Sequence, residues 1–122
     1  MKKLAIVTAT VLGLSTLFAG SAWAKSDEIA VIVKSANSTF WQNVRKGAET
    51  AGTDLGGKYK VTFQGPESET AIDAQVNMVD NAVNRGVAGI VLAASDPVAL
   101  VPAVKKAYES GIPVVLIDSG LN

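Results

Sequence analysis

Gly89-Ile90-Val91-Leu92-Ala93, running straight into Ala94-Ser95-Asp96-Pro97, is an apolar stretch without polar alternation, closed by a carboxylate and a proline. A strand that is apolar at every position needs cover on both faces, which is the situation of a parallel strand between two layers of helices. Asp96 and Pro97 then supply a helix cap and a residue preset for the first helical position. The same continuous apolar pattern returns at Val114-Val115-Leu116-Ile117, and β-branched runs stand at Glu28 to Val33 and at Tyr59 to Phe63. The pattern predicts four strands.

Three amphipathic segments separate them. The first starts at Thr39, where Thr39-Phe40-Trp41-Gln42 has the order of a capping box. It presents Phe40, Val44, Ala48, Ala51 and Leu55 at helical spacing and ends at Gly56-Gly57. The second runs from Thr70 with Ile72, Val76, Val79 and Val83 on one stripe, and stops at Gly86. The third, opened by Asp96-Pro97, carries Leu100, Val101, Val104 and Tyr108 before Gly111, with a kink or restart expected at Pro102. The order β-α-β-α-β-α-β implies right-handed crossovers and an α/β fold with an open, doubly wound parallel sheet. Ligands of such sheets bind beyond the carboxyl ends of the strands, where the strand order reverses. That rule singles out residues 34–41, 65–69, 94–96 and 118–122.

The N-terminus is of another kind. Met1-Lys2-Lys3 precedes an apolar run from Leu4 to Ala19, and Ala22-Trp23-Ala24 offers small residues to a peptidase. This is the pattern of a secretory signal peptide cleaved after Ala24, and it predicts a periplasmic protein. A permanent anchor needs about 20 apolar residues, more than this run supplies, and no stop-transfer pattern follows. Lys2 and Lys3 are two of eleven basic residues, so the segment from Lys25 onward carries nine against eleven acidic ones. No basic patch points to nucleic acid. With no cysteine there is no disulfide framework, and with no histidine there is neither a histidine-based triad nor a histidine-bearing zinc site. Residues 25–122 are expected to be a fragment, since the chain stops directly after the fourth strand, without the further helices and strands that would cover the sheet.

The strand ends carry the residues that suit a ligand. Lys34-Ser35-Ala36-Asn37-Ser38-Thr39-Phe40-Trp41 sets amide and hydroxyl groups before two adjacent aromatics. Polar groups take up hydroxyls, while an aromatic face packs on C–H groups whose partial positive charge complements the ring. Successive helical residues point about 100° apart, so one ring enters the core while the other faces the cleft. Trp41 is expected to be the platform, with Phe40 shared between core and site. Composition alone leaves Lys34 open between a ligand donor and a solvated lysine. Asp118, after the fourth strand and before Ser119-Gly120, can accept hydrogen bonds from two neighbouring sugar hydroxyls. Asp96 is explained by capping and stays outside the site. Gly65-Pro66-Glu67-Ser68-Glu69 reads as a solvated turn, and neither a Gly-x-Gly-x-x-Gly nor a Walker-type loop is present. No metal site, cofactor or catalytic residue is expected.

At these residues the chain resembles the periplasmic solute-binding proteins of the ribose-binding type, which share their fold with the effector domains of lac-repressor-like regulators. Ser38-Thr39-Phe40-Trp41 matches the family's polar-then-aromatic loop. Asn84-Arg85-Gly86 through Gly89-Ile90-Val91-Leu92 to Gly111-Ile112-Pro113-Val114 follows its helix-strand frame, and Asp118 falls on its ligand-binding aspartate. Two positions depart from the ribose binders: Ser119 stands where they have arginine, and Ala93 where they have asparagine. Lys34, Gly65-Pro66, Ala93-Ala94-Ser95 and Asp118-Ser119 are closer to the autoinducer-2 and rhamnose branch, whose lysine and aspartate hold the ligand.

The resemblance implies two lobes hinged around a sugar or polyol, a monomer when complete, and a membrane permease of an ABC transporter as partner. It places Lys34, Asn37, Ser38, Phe40, Trp41, Asp118 and Ser119 in the site. The rival readings are a receptor for a furanose-like autoinducer or a chemoreceptor ligand, and an exported enzyme on the same sheet. The enzyme lacks a nucleophile-base pair. A repressor fragment would need a DNA-binding helix pair where the signal peptide stands.

Overall fold

A computed structural model describes residues 26–122. The segment read as a signal peptide, residues 1–24, lies outside the described residues. The elements are β1 (Glu28–Ile32), α1 (Thr39–Asp54), β2 (Lys60–Gln64), α2 (Ile72–Asn84), β3 (Gly89–Leu92), α3 (Val101–Glu109) and β4 (Val114–Leu116). The four strands form one parallel sheet in the order β2-β1-β3-β4. The expected strands and fold class are all present, with ends shifted by one residue.

Register follows from alternation along each strand. Ala30, Ile32, Ile90 and Leu92 turn to one face, where they meet Val79, Ala82 and Val83 of α2 and Ala103 and Ala107 of α3. Val31, Val33 and Ala93 turn to the other and meet Trp41, with Val44 and Ala48 of α1 against them. One helix therefore covers one face, and two cover the opposite face. The single helix does not reach across the sheet: in β4, Val115 is 58% exposed although every residue of the strand is apolar.

Local details correct the sequence reading. Ser38, not Thr39, occupies the N-cap of α1, and no side-chain cap bond forms. The expected capping box is absent because the Gln42 amide instead donates to the Ala36 carbonyl. The helix opened by Asp96-Pro97 divides in two. The Asp96 carboxylate accepts from the Val98 and Ala99 amides at 2.8 and 2.7 Å, capping a turn, and α3 restarts at Val101 with Pro102 in its first positions, where a missing N–H is harmless. Helix α2 begins at Ile72 rather than Thr70. In α3 the buried side is Ala103 and Ala107, and Tyr108 is 80% exposed.

Candidate functional site

The strand order reverses between β1 and β3: the chain passes from β1 outward to β2, then returns past β1 to β3 and on to β4. The crevice beyond their carboxyl ends is where this topology binds ligands.

Lys34 leaves β1 at this point, and Asp118 and Ser119 leave β4. Because β3 lies between those strands, the lysine arm spans the end of β3, which is finished by the buried small residues Ala93 and Ala94. The Lys34 ammonium meets Asp118 Oδ2 at 2.7 Å and donates to Ser119 Oγ, and that hydroxyl donates to Asp118 Oδ2 at 3.0 Å. The ammonium's hydrogen bond, then that of Ser119, holds the Asp118 carboxyl below the usual carboxylate range. Asp118 has φ +62° and sits at the apex of a three-residue turn closed by the Ser119 N–H on the Ile117 carbonyl at 2.6 Å. That is the geometry of a γ-turn, a strained conformation tolerated best by aspartate, asparagine and glycine. Strain of this kind concentrates at ligand clamps.

The loop from Lys34 into α1 is laced to the loop after β2. The Ala36 amide donates to the Pro66 carbonyl at 3.1 Å, and Ser35 Oγ and Asn37 Nδ2 both donate to the Glu67 carbonyl. Gly65 permits the approach: a Cβ there would stand 2.9 Å from Ala36 N and 3.0 Å from the Val33 carbonyl oxygen. The turn at Gly65 to Glu69, read from sequence as only solvated, is thus the support of the site loop. Asn37 is exposed, and Ser38, half-buried, leaves its hydroxyl unused by the helix cap.

The two aromatics exchange the parts expected of them. Trp41 is 3% exposed, packed on Val31, Val33 and Ala93, with its indole N–H donating to Glu69 Oε1 at 3.3 Å. Phe40 is 59% exposed and stands edge-on to it, centroids 4.8 Å apart. Phe40 is therefore the aromatic face offered outward, with Trp41 fixing it from behind.

Gln75 was not singled out from sequence. It is completely buried on the apolar side of α2, bonded through Nε2 to the Val33 and Ala93 carbonyls and through Oε1 to the Ser95 amide. Its signal was a glutamine in phase with Ile72 and Val79. Ser95 Oγ is enclosed without a hydrogen-bond partner among the described residues. Two hollows of about 300 and 280 Å³ lie elsewhere, lined by residues such as Ile29, Val91, Val115 and Ile117. They are gaps in the cover of the apolar sheet face, without the convergent polar groups of a solute site.

The class defined by this topology is an α/β domain with a doubly wound parallel sheet. Residues 29–122 match the family described as a periplasmic binding protein domain, and the chain belongs to that family. Among relatives, the D-ribose/D-allose-binding protein of Pseudomonas aeruginosa is 34% identical over 91 residues, which is 75% of this chain and 28% of the relative. An ABC transporter solute-binding protein from Agrobacterium vitis, solved with bound D-fucose, is 65% identical with a TM-score of 0.73, over 78% of this chain and 32% of that one. A Clostridium solute-binding protein solved with bound L-rhamnose is 35% identical with a TM-score of 0.71, over 82% of this chain and 30% of that one. The matched part of the chain thus spans under a third of the length of these proteins.

Proposed function

We propose that this chain is the first part of the N-terminal lobe of a two-lobed periplasmic receptor, which captures a sugar or polyol and delivers it to the membrane permease of an ABC transporter. The observation that carries the reading is the Lys34-Asp118-Ser119 cluster at the carboxyl ends of β1 and β4. A sugar hydroxyl both donates and accepts, and the pair offers it one charged donor and one charged acceptor without net charge. Asn37 and Ser38 add neutral partners, and Phe40 supplies the face for the sugar's C–H groups. The relatives' sugars, D-ribose, D-allose, D-fucose and L-rhamnose, are the ligands to try. The role is capture without catalysis, and delivery to the periplasm follows signal-peptide cleavage after Ala24.

Titration calorimetry of the two-lobed protein against these four sugars tests the proposal. One of them is expected to bind at micromolar or tighter concentration, and failure of all four would overturn it. Intact mass of the product from a Gram-negative periplasm checks the export step: the expected chain begins at Lys25, and one retaining Trp23 would favour an anchored form.

A further inference from the structure

Glutamine is an unusual choice for the middle of an apolar helix face, because every buried donor and acceptor must find a partner. Gln75 finds all of its partners on the main chain at one place. Its Nε2 donates to the Val33 carbonyl at 3.0 Å and to the Ala93 carbonyl at 2.8 Å, and its Oε1 accepts from the Ser95 amide at 2.8 Å. Val33 and Ala93 are the first residues past β1 and β3. Up to that point the two strands pair directly, and the Ala93 amide donating to the Ile32 carbonyl at 2.9 Å follows the final pair, Ile32 and Leu92. Beyond it the chains part. Lys34 proceeds toward α1 on one face of the sheet, and Ser95 proceeds toward α3 on the other. Parting strands leave main-chain groups without ladder partners, and in a buried place those groups must be satisfied from elsewhere. The Gln75 amide does so from beneath the crevice, at the reversal of strand order.

We propose that Gln75 is a positioning residue of the binding site, setting the separation of the β1 and β3 ends and thereby the place of Lys34 and of the Ala94-Ser95 segment against the sugar. The inference rests on the sugar-receptor reading given above. Gln75 touches no ligand. It acts through Val33, whose next residue sends its ammonium across the end of β3 to Asp118, so any slip of β1 against β3 displaces the donor from its acceptor. It acts equally through the Ser95 amide, on the segment that carries the unpartnered Ser95 hydroxyl. A fully satisfied buried network fixes geometry, and a half-satisfied one loses that property.

The test uses the two-lobed protein and whichever of D-fucose, L-rhamnose, D-ribose and D-allose the wild type binds most tightly. Gln75→Glu keeps the volume and the acceptor for the Ser95 amide, but turns a carboxylate oxygen toward two carbonyls. Affinity is expected to fall about tenfold or more. In a Lys34→Gln background the same change should cost less than about twofold, because both substitutions then disturb one shared contact. A purely structural glutamine would lower the melting temperature and leave the two affinity losses multiplicative. That result overturns the proposal, as does unchanged affinity in Gln75→Glu. Gln75→Met, neutral and similar in size, takes over if the glutamate variant does not fold, and failure of both to fold assigns Gln75 a structural role alone. A wild type that binds none of the four sugars is a separate result, which removes the receptor reading and this inference with it.

Discussion

At the scale of single residues, Asp118 and Asp96 are both aspartates just beyond strands, yet their surroundings give them different work. Asp118 faces the Lys34 ammonium, whereas Asp96 spends Oδ1 on the amides of Val98 and Ala99. Hydrogen bonds to a charged group contribute about 1.5 to 3 kcal/mol, so Asp118→Ala should weaken sugar binding roughly ten- to a hundredfold. Asp96→Ala should leave affinity unchanged and lower the melting temperature. Calorimetry beside melting curves separates the two, and unchanged affinity in Asp118→Ala would move the cleft elsewhere. The pH dependence has a definite sign. In the proposed site the sugar is bound by the ionised Asp118, whose pKa is lowered chiefly by the Lys34 hydrogen bond, so affinity should hold as pH falls to the ordinary carboxylate value and drop only below it. A decline beginning near neutrality would contradict that assignment. The aromatic pair gives a second contrast. Phe40→Ala removes an exposed face and should cost several-fold in affinity with little change in melting, on the scale of about 1 kcal/mol for aromatic contacts. Trp41→Ala empties a packed site and should cost about 3 to 5 kcal/mol of stability.

Elements show where sequence reasoning succeeds and where it stops. Strands β3 and β4 were legible because an apolar run without alternation has few uses other than a covered parallel strand. Helix faces were less so. In α1 the stripe through Phe40, Ala51 and Leu55 overlaps the one through Trp41 and Gly52, and the structure buries the second. Small residues make the closest approach: Gly52 in α1 and Ala103 and Ala107 in α3 let the helix backbones lie close on the sheet, while Leu55 borders an open hollow over it and Tyr108 is exposed. Lys34 and Asp118 were legible as strand-end residues. Their pairing was not, because it depends on a strand order that brings β1 and β4 to either side of β3. The support from the Gly65 turn was hidden for the same reason. Gly65→Ala tests it: the added methyl would meet main-chain atoms of Ala36 and Val33, which cannot swing aside like a side chain. The expected loss is about 1 to 3 kcal/mol of stability, as for other overpacked sites, together with weaker sugar binding as the Lys34 to Asn37 loop is pushed away. Retention of both stability and affinity would show that the loop is not braced at Gly65.

The whole molecule is defined by what its sheet leaves uncovered. On the α1 face, Ile29, Val91, Val115 and Ile117 line apolar hollows, and at β4 Val115 and Leu116 are 58% and 39% exposed. Soluble proteins rarely leave a contiguous apolar surface of this kind open, because burying apolar area is what offsets the entropy of ordering the chain. The relatives that share this fold are more than twice as long, and in the proposed two-lobed receptor the sugar contacts of a second lobe would have no counterpart in residues 25–122 alone. Expressed as a separate piece, residues 25–122 should therefore melt without a sharp cooperative transition and bind none of the four sugars measurably. Circular dichroism on heating reads the first property and calorimetry the second. The two outcomes are coupled through the site itself: the Lys34-Asp118 contact spans three strands, one of them the exposed edge strand β4, so loosening of that edge separates donor from acceptor. A cooperative melt combined with micromolar sugar binding would show that four strands and three helices suffice as a receptor, and would refute the two-lobed reading at its foundation.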